Sequence, residues 1–427
     1  MPASDSQPLA GGPSAWILLS GADSAPAESE SASPQPRVWG LTAVERLRRA
    51  LARAGARPIE VLDSQEPAPN TEGRRCVLAR SDYLYDERLI QALVEAEPGV
   101  LLDPRSGEPV AALVGSTQLA DAVASLRQAE VSEAGPRLSG MPSFVPSDLV
   151  PAYHPALRKL DPPLLCRLGG LPLREVEDRI FNASYKGLTD LVTKWVWPTP
   201  ARIVTRWLAN RNVRPNTVTY LSYALALLVV WLFARGSFGA GLAAAWMMTF
   251  LDTVDGKLAR VTLTSSRLGG VLDHGLDLVH PPVWWVAWAY GLAPGLSGFE
   301  WATGIVVGGY LLGRILEGVF ILSFGMEVFL WRRFDGFFRT IVARRNPNLI
   351  LLSLATLAGR PDWGFLAVAA WTLACNAIQL ERLAQALVER IGGTSIQPWQ
   401  QGWQQEQPSH AAKSGDAAGP GEHPSRA

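Results

Sequence analysis

Apolar positions are spread unevenly along this chain. Up to about residue 180 they recur with helix or strand spacing between polar stretches, and from about 216 to 388 they merge into long runs. In the first part, AWILLSG (Ala15–Gly21) is a short unbroken apolar run that reads as a buried strand. LTAVERLRRALARAG keeps its apolar residues on one helical face, with Thr42 as N-cap and Gly55 at the end; PIEVLD then reads as a strand. RRCVLARSDYLYDERLIQALVEA repeats strand then helix, and GVLLDPRSGEPVAALVGS predicts a hairpin turning at Arg105–Gly107. This alternation predicts a small α/β domain over residues 14–130.

Around it, residues 1–36 are rich in Ser, Pro, Ala and Gly and read as partly flexible, and residues 131–175, with many Pro and Gly, read as a connector. LREVEDRIFNASYKGLTDLVTKWVW and PARIVTRWLANRN mix apolar and basic faces. They predict helices lying on a membrane surface, carrying Lys186, Lys194, Arg202, Arg206 and Arg211; a solvated helical linker is the plainer reading.

Six spans follow, at about 217–234, 237–256, 270–294, 301–323, 347–359 and 361–380. The last two are separated only by AGRPDWG. Basic residues fall in alternate connections: Lys257, Arg260 and Arg267 after the second span, and Arg332, Arg333, Arg339, Arg344 and Arg345 after the fourth. The other connections hold one arginine or none. This predicts a multi-pass protein with both termini in the cytosol, as in a bacterial inner membrane. The fold class is therefore mainly α: a six-helix integral membrane domain over 176–390, preceded by a small cytosolic α/β domain and followed by a disordered tail over 391–427.

Composition adds little against this. Lys+Arg and Asp+Glu are both 39, which gives no electrostatic case for a nucleic-acid partner. Many of the 16 Trp lie near the ends of the apolar runs, as an interfacial belt requires. The three cysteines match neither a metal spacing nor a disulfide framework, and the N-terminal residues lack the basic-then-apolar pattern of a signal peptide.

The segment DTVDGKLARVTLTSSRLGGVLDHGLD places four aspartates between two spans. Asp252 and Asp255 are i, i+3, and Asp273 and Asp277 are i, i+4, so each pair shares one helical face. Two such helix ends packed together crowd four carboxylates, which requires a positive charge between them. A hard divalent cation with oxygen ligands suits that place; Mg²⁺ keeps positions open for phosphate oxygens, and two ions can bridge a diphosphate. Gly256 and Ala259, and Gly269 and Gly270 opposite, leave room for a ligand near the backbone. A single aspartate here would read as a cap or solvated surface. Four at this spacing favour a site.

The segment resembles the signature of the CDP-alcohol phosphotransferase (CDP-alcohol phosphatidyltransferase) family, D-x2-D-G-x2-A-R-x8-G-x3-D-x3-D. Asp252, Asp255, Gly256, Ala259, Arg260, Gly269, Asp273 and Asp277 meet every spacing. Pro215, Asn216 and Thr219 resemble the family's lead into its first span, so the likeness covers about 180–390. The resemblance implies transfer of a phosphoryl-alcohol group from a CDP-alcohol donor to an alcohol acceptor, with release of CMP and with Mg²⁺ or Mn²⁺. It implies metal ligation by Asp252, Asp255, Asp273 and Asp277, with Asp277 as base and Asp273 beside it in catalysis. Gly256, Ala259, Arg260, Gly269, Asn216 and Thr219 would serve the donor.

VWGLTAVERLRRALARAG and VLARSDYLYDERLIQALVEA resemble pieces of sugar-phosphate nucleotidyltransferase domains, which some inositol-phosphodiester enzymes carry fused to this family. The stretch after the first strand, LLSGADSAPAESESASPQPR, has one Gly and no early basic residue to cradle a phosphate, so the domain reads as degenerate. Phosphatidyl transfer in phospholipid synthesis is the first reading. A CDP-polyol transferase of the CDP-inositol kind is the second; a transporter or silent scaffold are rivals of another class. The basic run Arg332–Arg345 could hold an anionic acceptor or only mark the cytosolic side. His274 and His280 read as packing or hydrogen-bonding groups. Small residues in GAGLAAAW and GIVVGG suit a homodimer, or packing within one chain.

Overall fold

A computed structural model describes residues 12–20, 36–63, 65–69, 71, 73–131, 140–154, 157–265, 267–293 and 297–399, less the side chains of residues 130, 131, 267–269, 271–274 and 276. Most described residues are helical, with a small α/β region near the N-terminus.

That region runs β1 (Ser14–Leu18), α1 (Ala43–Arg53), β2 (Ile59–Leu62), β3 (Cys76–Arg80), β4 (Tyr83–Tyr85), α2 (Glu87–Glu95), β5 (Gly99–Leu102), β6 (Pro109–Val114), α3 (Leu119–Val131) and β7 (Ser143–Phe144). Six strands form one sheet in the order β2-β1-β3-β6-β5-β7. β1 lies parallel to β2 and β3, while β6 runs antiparallel to both β3 and β5. β1 reads as a continuous apolar run because both its faces are covered. Ala15 and Ile17 face a layer with Leu47 and Leu51 of α1 and Leu89 and Leu93 of α2, and Trp16 and Leu18 face a layer with Val123 and Leu126 of α3. The start of α1 is the expected one: Thr42 and Glu45 form a reciprocal capping box. β5 and β6 pair across the hairpin read at Arg105–Gly107.

The stretch read as a connector carries more structure than its Pro and Gly suggested. β7 extends the sheet, α4 (Pro146–Leu149) follows, β8 (Tyr153–His154) pairs with β9 (Lys159–Leu160), and β10 (Leu165–Arg167) pairs with β4. Short strands of two or three residues leave almost no periodicity to detect.

α5 (Leu173–Ala183), a π-helical turn at Val192–Val196 and α6 (Pro198–Asn210) lead to α7 (Pro215–Ala234), α8 (Phe238–Val261), α9 (Arg267–Leu292), α10 (Glu300–Phe324), α11 (Arg333–Ile341), α12 (Arg345–Leu357) and α13 (Pro361–Ile391). Each of the six expected apolar runs is a helix. Among the described residues, three of these are long and apolar enough to cross a membrane: α7, α10 and α13, with mean hydropathies of 1.9, 1.8 and 1.4. α12, at 13 residues, spans only about 20 Å. The turn after it closes through Gly359 in the left-handed region (φ +73°), and Pro361 then starts α13. Phe233, Trp284, Trp285, Trp288 and Phe365 fill the core between these helices, so several tryptophans read as interfacial are fully buried.

Candidate active site

The polar end of α8 presents Asp252 and Asp255, α9 presents Asp277, and α12 begins at Arg345. The Arg345 guanidinium donates to Asp252 Oδ2 at 2.6 Å and to Asp277 Oδ1 at 2.9 Å, and its Nη1 lies 3.3 Å from His280 Nε2. Two carboxylates from different helices thus converge on one positive group. Asp252 and Arg345 are mostly shielded, with side chains 17% and 16% exposed, while Asp277 is 43% exposed and reachable from outside. Asp255 is buried and accepts a 2.7 Å bond from Thr219 Oγ1, which fixes its orientation from α7. Open space lies beside both Gly256 and Gly270, where an added Cβ would meet nothing within 4 Å.

Asp277 is held by an unusual backbone. Pro281 and Pro282 sit inside α9 and supply no N–H to the carbonyls of Asp277 and Leu278, four residues back. The Tyr310 hydroxyl of α10 lies 3.2 Å from each of those two oxygens and serves as their donor.

Of the other residues singled out by sequence, Arg260 donates to the Ser184 carbonyl at 3.0 Å, as does Lys257, whose ammonium also lies 3.3 Å from the Tyr185 ring centre. Asn216 is exposed and lines a cavity of about 330 Å³ with Trp39, Arg49, Arg214 and Thr262. Ala259 is half-buried on α8. Of Gly269, Asp273 and His274 only the helical backbone is described; the side chains of Asp273 and His274 lie outside the described residues, as do residues 21–35 of the stretch after β1 read as degenerate. Among the described residues no three acidic, histidine or cysteine side chains gather closely enough to hold a metal. His280 is buried, packs edge-on against Trp284 and meets Arg345, in keeping with a packing and hydrogen-bonding role.

The basic run is largely engaged within the chain. Arg332 pairs with Glu389, Arg344 with Glu317 at 2.7 Å, and Arg314 with Glu317 at 2.9 Å. Arg339 is half-buried over the Phe329 ring, and desolvation together with neighbouring Arg344 lowers its pKa to about 9. Lys186 is lowered too, by burial and by Arg260, Arg158 and Arg339. In the sequence Arg345 stands only as one member of the basic run. Its pairing with acids 93 and 68 residues away has no local sequence signal.

Residues 212–332 match the model of the CDP-alcohol phosphatidyltransferase family. That segment contains the whole aspartate signature and α7 to α10. The bifunctional IPC transferase and DIPP synthase of Rubrobacter xylanophilus is 28% identical over 244 residues, 51% of this chain and 49% of that protein. These 244 residues exceed the 121 of the matched segment (212 to 332), so this likeness runs beyond it. Cholinephosphotransferase 1 of Xenopus laevis is 31% identical over 123 residues, 26% of this chain and 29% of that protein. The chain thus spans half or less of the length of these two relatives. The crystal structure of Mycobacterium tuberculosis phosphatidylinositol phosphate synthase with CDP-DAG bound superposes with a TM-score of 0.35 at 18% identity, covering 43% of this chain and 92% of that one.

Proposed function

We propose that this protein is a membrane transferase that moves a phosphatidyl group from a CDP-alcohol to an acceptor alcohol and releases CMP, in phospholipid synthesis. The observation that carries this is the convergence of Asp252 and Asp277, which lie on separate helices inside the segment that matches the family, on Arg345, which lies beyond that segment.

The chemistry of the donor set suits a hard divalent cation: the signature supplies only carboxylate oxygens, two of which, on Asp252 and Asp277, are neutralised here by Arg345. Asp252, Asp255, Asp273 and Asp277 would hold Mg²⁺ or Mn²⁺, as two ions. When bound, these would neutralise charge on the diphosphate as it breaks. Asp277, the more exposed carboxylate, takes the proton of the acceptor hydroxyl. The acceptor oxygen forms a bond to the phosphorus that carries the donor alcohol, the bridging P–O bond breaks, and CMP leaves with its electron pair. Gly256, Ala259 and Gly269 give the cytidine room, Arg260 and Lys186 attract its phosphates, and Asn216 and Thr219 shape the entry from α7, Thr219 through its bond to Asp255.

In this reading α7 to α10, α12 and α13 form the six-helix membrane domain of residues 176–390, with both termini cytosolic. Residues 14–130 form the degenerate nucleotidyltransferase-like domain. A homodimer would use Gly239, Gly304 and Gly308, which face open space. A second reading, transfer from a CDP-polyol such as CDP-inositol to a polyol phosphate, is favoured by the extended likeness to the bifunctional IPC transferase and DIPP synthase.

Asp277→Asn should lower CMP release by at least about a hundredfold while the protein still purifies as a folded membrane protein. Turnover within threefold of wild type would remove Asp277 as the base.

A further inference from the structure

The end of α8 is finished by residues from the α/β domain. A helix leaves its last four carbonyls without intrahelical donors. Here Leu258 O accepts from the Thr262 amide, Ala259 O from Thr264 and Arg260 O from Leu263, at 2.9–3.2 Å. The fourth, Val261 O, accepts from the buried Arg46 guanidinium at 2.6 Å, 215 residues away. Arg49 then donates to Thr262 O at 2.7 Å, and Arg53 to Ser265 O at 2.6 Å and to its hydroxyl at 2.7 Å. Arg46, Arg49 and Arg53 are spaced i, i+3, i+7, one stripe of α1. Their charge also suits the negative end of the α8 dipole.

A second contact, of a different kind, fixes the same connection. Leu263 is held in the left-handed region (φ +54°), where a branched residue is strained, and its side chain is buried in the sheet-domain core with Leu47, Leu51, Leu89 and Leu93. The domain therefore grips residues 261–265, the stretch joining the helix of Asp252 and Asp255 to the helix of Asp277.

We propose that the α/β domain is a clamp on the α8–α9 connection, and that Arg46, Arg49, Arg53 and Leu263 are positioning residues that set the spacing of the aspartates on the two helices. Its catalytic part rests on the transferase reading above. The domain contributes alignment and needs no nucleotide chemistry of its own. A misalignment of about 1 Å at a reacting centre costs about a hundredfold in rate.

The test compares the full-length protein with Arg49→Ala/Arg53→Ala, Arg49→Lys/Arg53→Lys and Leu263→Ala, following amide hydrogen exchange and CMP release together. In the alanine double variant, exchange over residues 258–265 should rise about tenfold while β3 and β6 exchange as in wild type. Its kcat should fall about tenfold with KM within about twofold, and the lysine pair should restore most of both. Leu263→Ala should act the same way without touching a charge. Unchanged exchange over 258–265 would overturn the clamp; faster exchange with unchanged kcat would overturn its role in alignment. A wild type that releases no CMP from any donor would instead refute the transferase reading, and exchange alone would then decide whether the connection is gripped.

Discussion

Arg345 joins Asp252 to Asp277, and each of the three lies on a different helix. Removing one partner of a shielded ion pair strands the other charges, at a cost of about 3 kcal/mol. Arg345→Gln should therefore lower the unfolding midpoint in EDTA, and added Mg²⁺ should raise the variant's midpoint more than that of wild type, because carboxylates freed of the guanidinium accept a cation. Equal Mg²⁺ shifts in the two proteins would contradict this account of Arg345. Asp190 offers a pH test away from the spans. Burial alone would raise its carboxyl, but hydrogen bonds from Asn346 and from Thr193 outweigh burial and hold it below 3.8. A folded value below the unfolded one stabilises above pH 3.8, and that stability is lost as pH falls through the folded value. Asp190→Asn should thus cost about 1–2 kcal/mol at pH 7, by urea unfolding in detergent, with the gap to wild type closing below pH 4. A gap that widens in acid would reverse the assignment.

At the scale of elements, the small residues of α8 and α10 are divided between two uses. A Cβ at Gly309 would lie 2.4 Å from Thr372 Cγ2 and 2.8 Å from Asn376 Nδ2 of α13, and one at Gly241 would lie 2.5 Å from the Phe233 ring of α7. Those glycines serve packing within the chain, whereas Gly304 meets nothing. Gly309→Leu should lower the thermal midpoint by several degrees, from overpacking worth about 1–3 kcal/mol. Gly304→Leu should leave the midpoint alone and convert a homodimer to monomer by light scattering. A Gly304→Leu dimer would exclude this face of α10. The same elements mark what sequence could tell. Runs of about 20 apolar residues, the Thr42 cap and the Arg105–Gly107 hairpin are local signals, and each stands where the pattern placed it. β7 to β10 are too short for a period, so the connector hid them. Thr219 on Asp255, Tyr310 on the carbonyls freed by Pro281 and Pro282, and Arg345 on two aspartates are all long-range contacts. Spacing along one helix reveals a shared face, not what a distant helix brings to it.

Over the whole molecule, the aspartate segment lies where two bodies meet. The apolar helices carry the carboxylates, and the sheet domain grips the turn between them through α1 and Leu263. On the proposal that this domain is a degenerate nucleotidyltransferase-like one, the grip gives it a use that needs no phosphate cradle. A transporter reading would need an internal repeat or broken spans facing a path, whereas the carbonyls that the α9 prolines leave without a donor are met by the Tyr310 hydroxyl. The central claim is metal-dependent transfer from a CDP-alcohol. The most direct measurement is CMP release by the purified full-length protein, in Mg²⁺ and in EDTA, with CDP-diacylglycerol and CDP-inositol each offered with serine, inositol, glycerol phosphate and inositol phosphate. The account predicts CMP from one donor and acceptor pair in Mg²⁺ and none in EDTA. Equal CMP release in EDTA, or none from any pair by folded protein, would contradict it.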